Sequence, residues 1–328
     1  MLHLKKTGIM ISIIGLFLYS GILAQPLLDS AGPDLRTDLT LMYTASLKGN
    51  LDGCSCVKIR RAGLVKRAYY LRSLAGTGNM LLVDAGDLLE PKKGDKLRSE
   101  YILQTYRELK YDAIGLGDNE LAGGVLEYRE RYPFVANNLK FFFNSGGSLV
   151  NNEPLILTKG KYRIGIFAVL EPQFKSAAPV AELMSQTFQI TPVAETVQKI
   201  VPLLKARKTH LIVLLYHGFY DNAVKLAKSV PGIDLIVLGH EEKLIDLQMI
   251  ERTGLVSPGE EGNRIGILKI SLAGRQVTFQ KNQFRMFHYE TDPDDPIVRK
   301  LIDKYIDNMM APLESNNRQS KSDPFPAK

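Results

Sequence analysis

Carboxylates, histidines and glycines cluster in five short segments, each of which follows a predicted strand. The segments are Thr44-Ala45-Ser46-Leu47-Lys48-Gly49, Asp84-Ala85-Gly86-Asp87, Gly117-Asp118-Asn119-Glu120, Tyr216-His217-Gly218 and Gly239-His240-Glu241-Glu242. In an open α/β sheet the loops at the carboxyl ends of the strands converge on one crevice. Carboxylates and imidazoles in such a crevice can hold metal ions that polarise a phosphoryl oxygen and generate hydroxide. The pattern therefore indicates metal-dependent chemistry at one edge of a sheet.

The elements that must position these segments alternate strand and helix along the chain. Strands are predicted over 39–44, 80–83, 113–116, 211–215 and 233–238, and helices over 61–74, 97–109, 191–205 and 221–228. From 245 to about 285 the pattern changes to short antiparallel strands, with turns at Pro258-Gly259 and Ala273-Gly274. Two βαβ-type halves with antiparallel edges predict an α/β sandwich.

The order and spacing of the five segments resemble those of calcineurin-like metallophosphoesterases, specifically their secreted 5′-nucleotidase-like branch. In that family the segments read Thr-Asn-Asp-x-His-Gly, Gly-Asp, Gly-Asn-His-Glu, Ser-His-x-Gly and Gly-His-x-His. The resemblance covers residues 39 to about 285, and 111–114, 136–138 and 257–266 resemble further family segments. It implies a four-layer α/β/β/α sandwich of the metallophosphoesterase type. It also implies a catalytic domain only, without the family's second domain, which holds the nucleoside base.

Carried over residue by residue, the resemblance implies one intact metal site and one degraded site. The intact site has two oxygen and two nitrogen donors that suit Zn²⁺, Mn²⁺ or Fe²⁺, from Asp87, Asp118, His217 and His240. The degraded site would use Asp87 with Ser46, Lys48 and Glu242, but a serine is a poor ligand and an ammonium repels cations. Lys48 would place its ammonium where the missing cation would lie, pairing with Asp87 or Glu242. We therefore expect one metal or none, and not two.

The third segment departs from the family at its catalytic position. Where the family has a histidine that helps to protonate the leaving group, this chain has Asn119. An amide cannot donate a proton to a leaving alkoxide at neutral pH, and loss of general acid–base help typically removes ~10²–10⁴-fold of rate. We therefore assign no catalytic residue, and we expect Glu120 to be structural.

Cys54 and Cys56 are the only cysteines, and they follow the first segment by a few residues. Some secreted relatives resemble this chain in carrying Cys-x-Cys before a Gly-Leu-x-x-Arg-like stretch, and a related branch hydrolyses sulfur-linked groups. Three interpretations stay open: soft metal ligands that replace the lost first-site residues, a redox-active thiol pair, or an accidental pair in a surface loop.

The first 24 residues have the layout of a signal peptide. Lys5 and Lys6 precede an uncharged apolar run from Gly8 to Ala24, which indicates export to the periplasm or the cell exterior. An uncleaved anchor helix is the alternative, and it is the only membrane contact that we expect. The predicted organisation is a signal peptide over 1–24, a linker over 25–37, a metallophosphoesterase-like domain over 38–288, a C-terminal helix over 289–314 and a disordered tail over 315–328.

The composition is that of a globular protein, with 45% apolar and 23% charged residues. A formal net charge of +7 in 328 residues is too mild to indicate a nucleic-acid partner. The basic run over 58–61 is either a solvated helix start or an electropositive rim that draws a small anionic ligand. The sequence identifies no protein partner.

Three functional hypotheses follow. The first is an exported metallophosphoesterase-fold protein that is weakly active or inactive on phosphoesters and serves in binding or regulation. The second is an active one-metal hydrolase of phosphoesters or related anions. The third is a thiol-redox or metal-handling protein that uses the Cys-x-Cys pair. The substitutions disfavour an enzyme and the resemblance favours one, so this choice stays open.

Overall fold

The computed structural model describes residues 37–53, 62–76, 78–90, 95–122, 132–141, 153–177, 188–259 and 262–320. The predicted signal peptide, most of the predicted linker, the basic run over 58–61 and residues 321–328 lie outside these ranges. None of the helices described is both long enough and apolar enough to cross a membrane.

Strands and helices alternate over 39–122 and again over 188–240, as the sequence predicts, whereas the four strands between these ranges follow one another with no helix among the described residues. The strands are β1 (Leu39–Thr44), β2 (Met80–Asp84), β3 (Ala113–Gly115), β4 (Phe134–Val135), β5 (Leu139–Phe141), β6 (Leu155–Lys159), β7 (Tyr162–Leu170), β8 (Phe188–Ile190), β9 (Leu211–Gly218), β10 (Leu235–His240), β11 (Leu244–Ile250), β12 (Thr253–Pro258), β13 (Arg264–Ala273) and β14 (Gln276–Met286). The helices are α1 (Gly63–Ser73), α2 (Lys96–Leu109), α3 (Asp118–Ala122), α4 (Val193–Ala206), α5 (Tyr220–Ser229) and α6 (Pro296–Ser320), and a 3₁₀ helix covers Pro172–Ala177.

The strands form two six-stranded mixed sheets. The first has the order β14-β13-β1-β2-β3-β4, and the second has the order β11-β12-β10-β9-β7-β6. The central strands of each sheet are parallel, whereas β13 and β14 in the first sheet and β6 and β11 in the second pair antiparallel to their neighbours. Strands β5 and β8 form a separate two-stranded sheet.

Alternate residues of each central strand pack on opposite faces of its sheet. In β9, Leu215 lies in an apolar layer between the two sheets, together with Leu41 of β1 and Val83 of β2. The preceding residue, Leu214, packs outward against α4 and α5. Because side chains alternate along a strand and both faces of these sheets are covered, the strands are apolar throughout.

Helices cover the outer face of each sheet. Residues of α1, α2 and α6 share one buried cluster with the outward face of the first sheet, while α4 and α5 cover the second sheet. The layers are therefore helix, sheet, sheet and helix. The predicted four-layer α/β/β/α sandwich is observed.

The segment after β10 differs in detail from the prediction. Strand β12 pairs parallel with β10 as well as antiparallel with β11. Pro258 therefore ends a strand of the second sheet, and the chain then crosses to β13 of the first sheet instead of turning back on itself. The β11–β12 hairpin turns at Glu251 and Arg252, where Glu251 has a φ of 51°. No glycine marks that turn in the sequence.

The last helix begins at Pro296 and runs to Ser320, so the expected span of 289–314 is displaced toward the C-terminus. Asp295 caps it as the Asp-Pro pair predicts, since its Oδ1 accepts from the backbone N–H groups of Ile297 (3.1 Å) and Val298 (3.0 Å). Residues 315–320 of the expected tail belong to this helix.

Candidate metal centre

Four side chains that could bind a metal meet at the carboxyl ends of the parallel strands. Asp87 follows β2, and Asp118 begins α3 directly after β3 in the same sheet. His217 and His240 lie at the ends of β9 and β10 in the second sheet. One donor atom from each residue lies within 4.8 Å of all the others. The structure thus brings together all four residues of the predicted intact site.

The contacts within this cluster centre on Asp118. Its Oδ1 lies 2.8 Å from Nε2 of His217 and 3.2 Å from Nδ1 of His240. Asp87 is more distant, with 3.5 Å from its Oδ1 to Nε2 of His217 and 3.7 Å from its Oδ2 to Nδ1 of His240. The four donors therefore surround a small common volume.

The backbone adopts a left-handed conformation at four of the predicted ligand positions. The φ angles are 50° at Ser46, 50° at Lys48, 58° at Asp87 and 72° at His240. Among the described residues only seven non-glycine positions have a positive φ. This conformation is costly for residues other than glycine, and it tends to occur at functional sites. Ser46 and Lys48 share the strained geometry of Asp87 and His240 although their side chains are not metal ligands.

Gly117 provides the clearance that the ligands need. A Cβ atom at this position would lie 2.4 Å from Oδ1 of Asp87 and 2.7 Å from Cε1 of His217. Any larger residue would displace one of the two ligands. The glycine therefore reflects close packing around the donor atoms.

Glu120 holds the two ligand loops of the first sheet together. Its buried carboxylate accepts backbone N–H bonds from Asp87 (2.8 Å), Leu89 (3.0 Å) and Gly117 (2.7 Å). Burial and the nearby charge of Asp87 raise the pKa of Glu120 to about 8. The geometry is that of a structural residue, as the sequence led us to expect.

Asn119 fixes the same loops. Its side-chain amide donates to the backbone oxygen of Leu89 (3.1 Å), and its backbone N–H donates to Oδ1 of Asp87 (3.2 Å). The side chain is buried. Asn119 therefore orients a ligand loop.

Phe174 packs against both histidines, and it lies outside the five segments that the sequence singles out. Its ring centroid lies 5.4 Å from that of His217 and 4.2 Å from that of His240. The ring centroid of Phe219 lies 5.2 Å from that of His240 and 5.6 Å from that of Phe174. Phe174 lies in the 3₁₀ helix that follows β7, a parallel neighbour of β9. The sequence feature that could have indicated Phe174 is its position after the carboxyl end of a central strand. Its aromatic side chain gives no indication of metal binding.

The carboxylates of the cluster favour the protonated form of both imidazoles. Burial lowers the pKa of His240, but the carboxylates of Asp118 and Asp87 outweigh burial and raise it to about 9. The same balance raises the pKa of His217. Burial raises the pKa of Asp118, but its bonds to both histidines hold it far below the usual value. A metal must therefore displace protons from the imidazoles in order to bind.

The donor set of this cluster fits a divalent transition metal. Two carboxylates and two imidazoles are ligands of Zn²⁺, Mn²⁺ and Fe²⁺. Nδ1 of His217 lies 3.2 Å from the backbone oxygen of Ala85. A hydrogen bond there would hold the proton on Nδ1 and leave Nε2 facing the other ligands, an orientation common in metal sites.

The remaining predicted positions, Ser46, Lys48 and Glu242, lie outside this group of four donors. Nζ of Lys48 lies 2.5 Å from Oε1 of Glu242. Oγ of Ser46 is buried and has no hydrogen-bond partner within the described ranges. The predicted pairing of Lys48 is thus observed with Glu242. Cys54 and Cys56 lie outside the described residues, so their suggested ligand or redox role stays a prediction.

The fold and the site together define a metallophosphoesterase-type α/β sandwich with a metal-capable crevice. The comparisons with known proteins agree. No protein-family model matches the chain. Over 315 residues it is 22% identical to a 2′,3′-cyclic-nucleotide 2′-phosphodiesterase/3′-nucleotidase of Salmonella typhimurium, covering 81% of this chain and 48% of that protein.

Solved structures share the fold. A 5′-nucleotidase precursor from Thermus thermophilus superposes with a TM-score of 0.71 at 21% identity, covering 83% of this chain and 59% of that one. A sulfate thiohydrolase, SoxB, from the same organism gives 0.70 at 17% identity, with 85% and 61% covered. The chain spans about half or less of the length of the first curated relatives that it matches. The relatives are 5′-nucleotidases and calcineurin-like metallophosphoesterases, and the predicted resemblance to this family is confirmed.

Proposed function

We propose that this chain is an exported, 5′-nucleotidase-like metallophosphoesterase-fold protein that holds one divalent transition metal and is weakly active or inactive on phosphoesters. Asp87, Asp118, His217 and His240 would hold the metal. The observation that carries the proposal is the division of the predicted ligands into two groups. Four donors lie within 4.8 Å of one another, whereas Lys48 and Glu242 bind each other.

The metal, when bound, supplies Lewis acidity toward an anionic oxygen and lowers the pKa of water. The other residues maintain the donors. Glu120 and Asn119 fix the loops of Asp87 and Asp118 through backbone hydrogen bonds. Phe174 packs against both imidazole rings. These contacts support a preformed site for a single cation.

Two features support weak or absent phosphoesterase activity. Asn119 is an amide whose side chain bonds to the backbone of Leu89, so it cannot protonate a leaving group. The ammonium of Lys48 lies where the family resemblance calls for a cation ligand. Both parts of two-metal chemistry are therefore weakened, namely the second cation and the general acid.

An active one-metal hydrolase of phosphoesters or related anions is the second candidate. The complete cluster of Asp87, Asp118, His217 and His240 favours it. Among the proteins of similar fold are a 5′-nucleotidase precursor and a sulfate thiohydrolase, so both phosphorus- and sulfur-centred anions belong among the substrates to be tested.

Metal content is the decisive experiment. Protein purified without chelators should contain one equivalent of transition metal by elemental analysis. The double variant His217→Ala, His240→Ala should contain none. The control variant His288→Ala, which changes an exposed histidine, should retain one equivalent. Two equivalents in the unmodified protein, or metal retained by the double variant, would disprove the proposal.

Activity and export need separate measurements. Hydrolysis of AMP should be far below the common enzyme median of about 10 s⁻¹, and a turnover near that value would favour the second candidate. The leader layout over 1–24 supports export. Intact mass of secreted protein should show cleavage after Ala24, and secreted material that still begins at Met1 would contradict this part of the proposal.

A further inference from the structure

The Lys48–Glu242 ion pair joins the two sheets at the edge of the metal centre. Lys48 follows β1 of the first sheet, and Glu242 follows β10 of the second. Nζ of Lys48 lies 2.5 Å from Oε1 of Glu242, and the two side chains are 26% and 61% exposed. Because the Glu242 carboxylate is mostly in water, another anion can compete for the ammonium at little cost in desolvation.

The backbone of Lys48 is attached to a metal-ligand loop. Its N–H donates to the backbone oxygen of Asp87 (2.9 Å), and the N–H of Ser46 donates to that of Gly86 (2.8 Å). The φ angle of 50° at Lys48 is a strained conformation. The ion pair does not account for this strained backbone, because an exposed ion pair contributes only ~0–1 kcal/mol to the stability of the fold.

Ser46 provides a second, independent indication of a ligand. Its Oγ is fully buried and no described residue offers it a hydrogen bond. Buried hydroxyl groups are rarely left without a partner. Two residues before Lys48, and beside the loop of Asp87, this hydroxyl can donate to an oxygen of a bound group.

Solvent reaches Lys48 through a cleft of about 310 Å³ between its loop and α6. The cleft is also lined by Arg98, Glu90 and Tyr305. Arg98 pairs with Glu90, so the charge of its guanidinium is already compensated. Of the two cations Lys48 and Arg98, Lys48 is the one that lies in the loop after β1, which holds the predicted metal-ligand positions 46 and 48.

We propose that Lys48 is an oxyanion-binding residue of this site, whose ammonium leaves Glu242 to bind the oxygens of a tetrahedral group, phosphate or sulfate, beside the metal cluster. The proposal rests on the proposed function, because it requires the metal to be bound at the neighbouring cluster. Glu242 then competes with the bound anion for Lys48, and it pairs with the ammonium when the site holds no anion. Charge-assisted hydrogen bonds from an ammonium to a phosphate are among the strong polar contacts in proteins.

Calorimetric titration of the metal-loaded full-length protein with inorganic phosphate, and separately with sulfate, tests the proposal. Lys48→Met should weaken the affinity by about tenfold or more, the usual effect of losing a hydrogen bond to a charged group. Glu242→Gln should strengthen it by roughly threefold, because the competitor is lost. Lys48→Arg should retain most of the affinity. Tighter binding of phosphate indicates phosphoester ligands, and tighter binding of sulfate indicates sulfur-centred ligands.

Matched controls separate this role from a structural one. Lys208→Met removes an exposed lysine that also has a left-handed φ of 55°, and Glu195→Gln breaks another exposed ion pair, with Lys199. Neither should change the anion affinity. If Lys48→Met and Glu242→Gln lower only the melting temperature, or shift the affinity in the same direction, the proposal is wrong. A preparation without metal disproves the proposed function, whereas one equivalent of metal with unaltered phosphate affinity in Lys48→Met disproves only this inference.

Discussion

Oδ1 of Asp118 lies 2.8 Å from Nε2 of His217, and this contact joins the two sheets of the sandwich. Asp118 follows β3 of the first sheet, and His217 lies near the end of β9 in the second. The apolar layer between the sheets is close-packed, so the sheets cannot slide without opening cavities. The packing of the core thereby sets the distances between the candidate ligands.

The metal-free protein should lose stability as the pH rises from about 6.5 to about 9. The pKa of His240 is raised from its ordinary value of 6.5 to about 9. A group whose pKa is raised on folding stabilises the folded state at pH values below its pKa in the unfolded chain. This contribution disappears as the pH rises through its pKa in the folded state. Thermal unfolding measured across this range in the presence of a chelator should show the decline.

Two controls define the cause of that decline. His240→Ala should make it shallower, because one of the proton-binding imidazoles is gone. Added Zn²⁺ should reverse the trend, since metal binds the deprotonated rings and is therefore held more tightly at higher pH. A decline that is identical in His240→Ala would assign the effect to other groups.

Gly117→Ala should lower the metal affinity by about tenfold or more, the usual effect of disturbing the groups that support metal ligands. The added Cβ would lie 2.4 Å from Oδ1 of Asp87. Competition with a metal-binding dye measures the change. Gly274→Ala is the control for metal affinity: a Cβ there meets nothing within 4 Å, and its left-handed φ of 61° makes the change costly for stability without a contact to the cluster. Equal affinities in the two variants would mean that the ligand loop relaxes around the methyl group.

Glu120→Ala should lower the free energy of unfolding by about 3 kcal/mol, because it leaves buried backbone N–H groups without an acceptor. Three such groups now bond to this carboxylate. Glu195→Ala, on the exposed face of α4, should change stability by no more than about 0.5 kcal/mol. Urea unfolding of both variants gives the comparison. A Glu120→Ala protein as stable as the control would contradict the structural role assigned here.

Restoring the family residues should create a second metal site. The quadruple variant Ser46→Asp, Lys48→His, Asn119→His, Glu242→His rebuilds a four-donor set, removes an ammonium and returns an imidazole for the leaving group. Positions 46 and 48 already have a left-handed backbone like that of Asp87 and His240. Elemental analysis should show a second equivalent, with only a partial gain in hydrolysis. A folded variant with no additional metal would show that neighbouring residues also prevent binding.

The sequence predicted the central strands and helices well, because each is a long apolar or amphipathic run. Strand β1 matches its prediction residue for residue, and β9 extends three residues further to include His217. The hairpin at Glu251 could not be predicted, since its turn uses a charged residue with positive φ instead of glycine. The crossing after Pro258 could not be predicted either, because strand partners depend on long-range packing.

The sequence by itself determined which residue types follow which strands, and its resemblance to the metallophosphoesterases indicated Asp87, Asp118, His217 and His240 as candidate ligands. The rule that parallel strands end at a common edge explains why these side chains meet. The tertiary structure alone decided what the other positions do. Lys48 pairs with Glu242, a residue 194 positions away, and Phe174 packs on two histidines from different strands. These contacts depend on the packing of two sheets against each other, which no local pattern encodes.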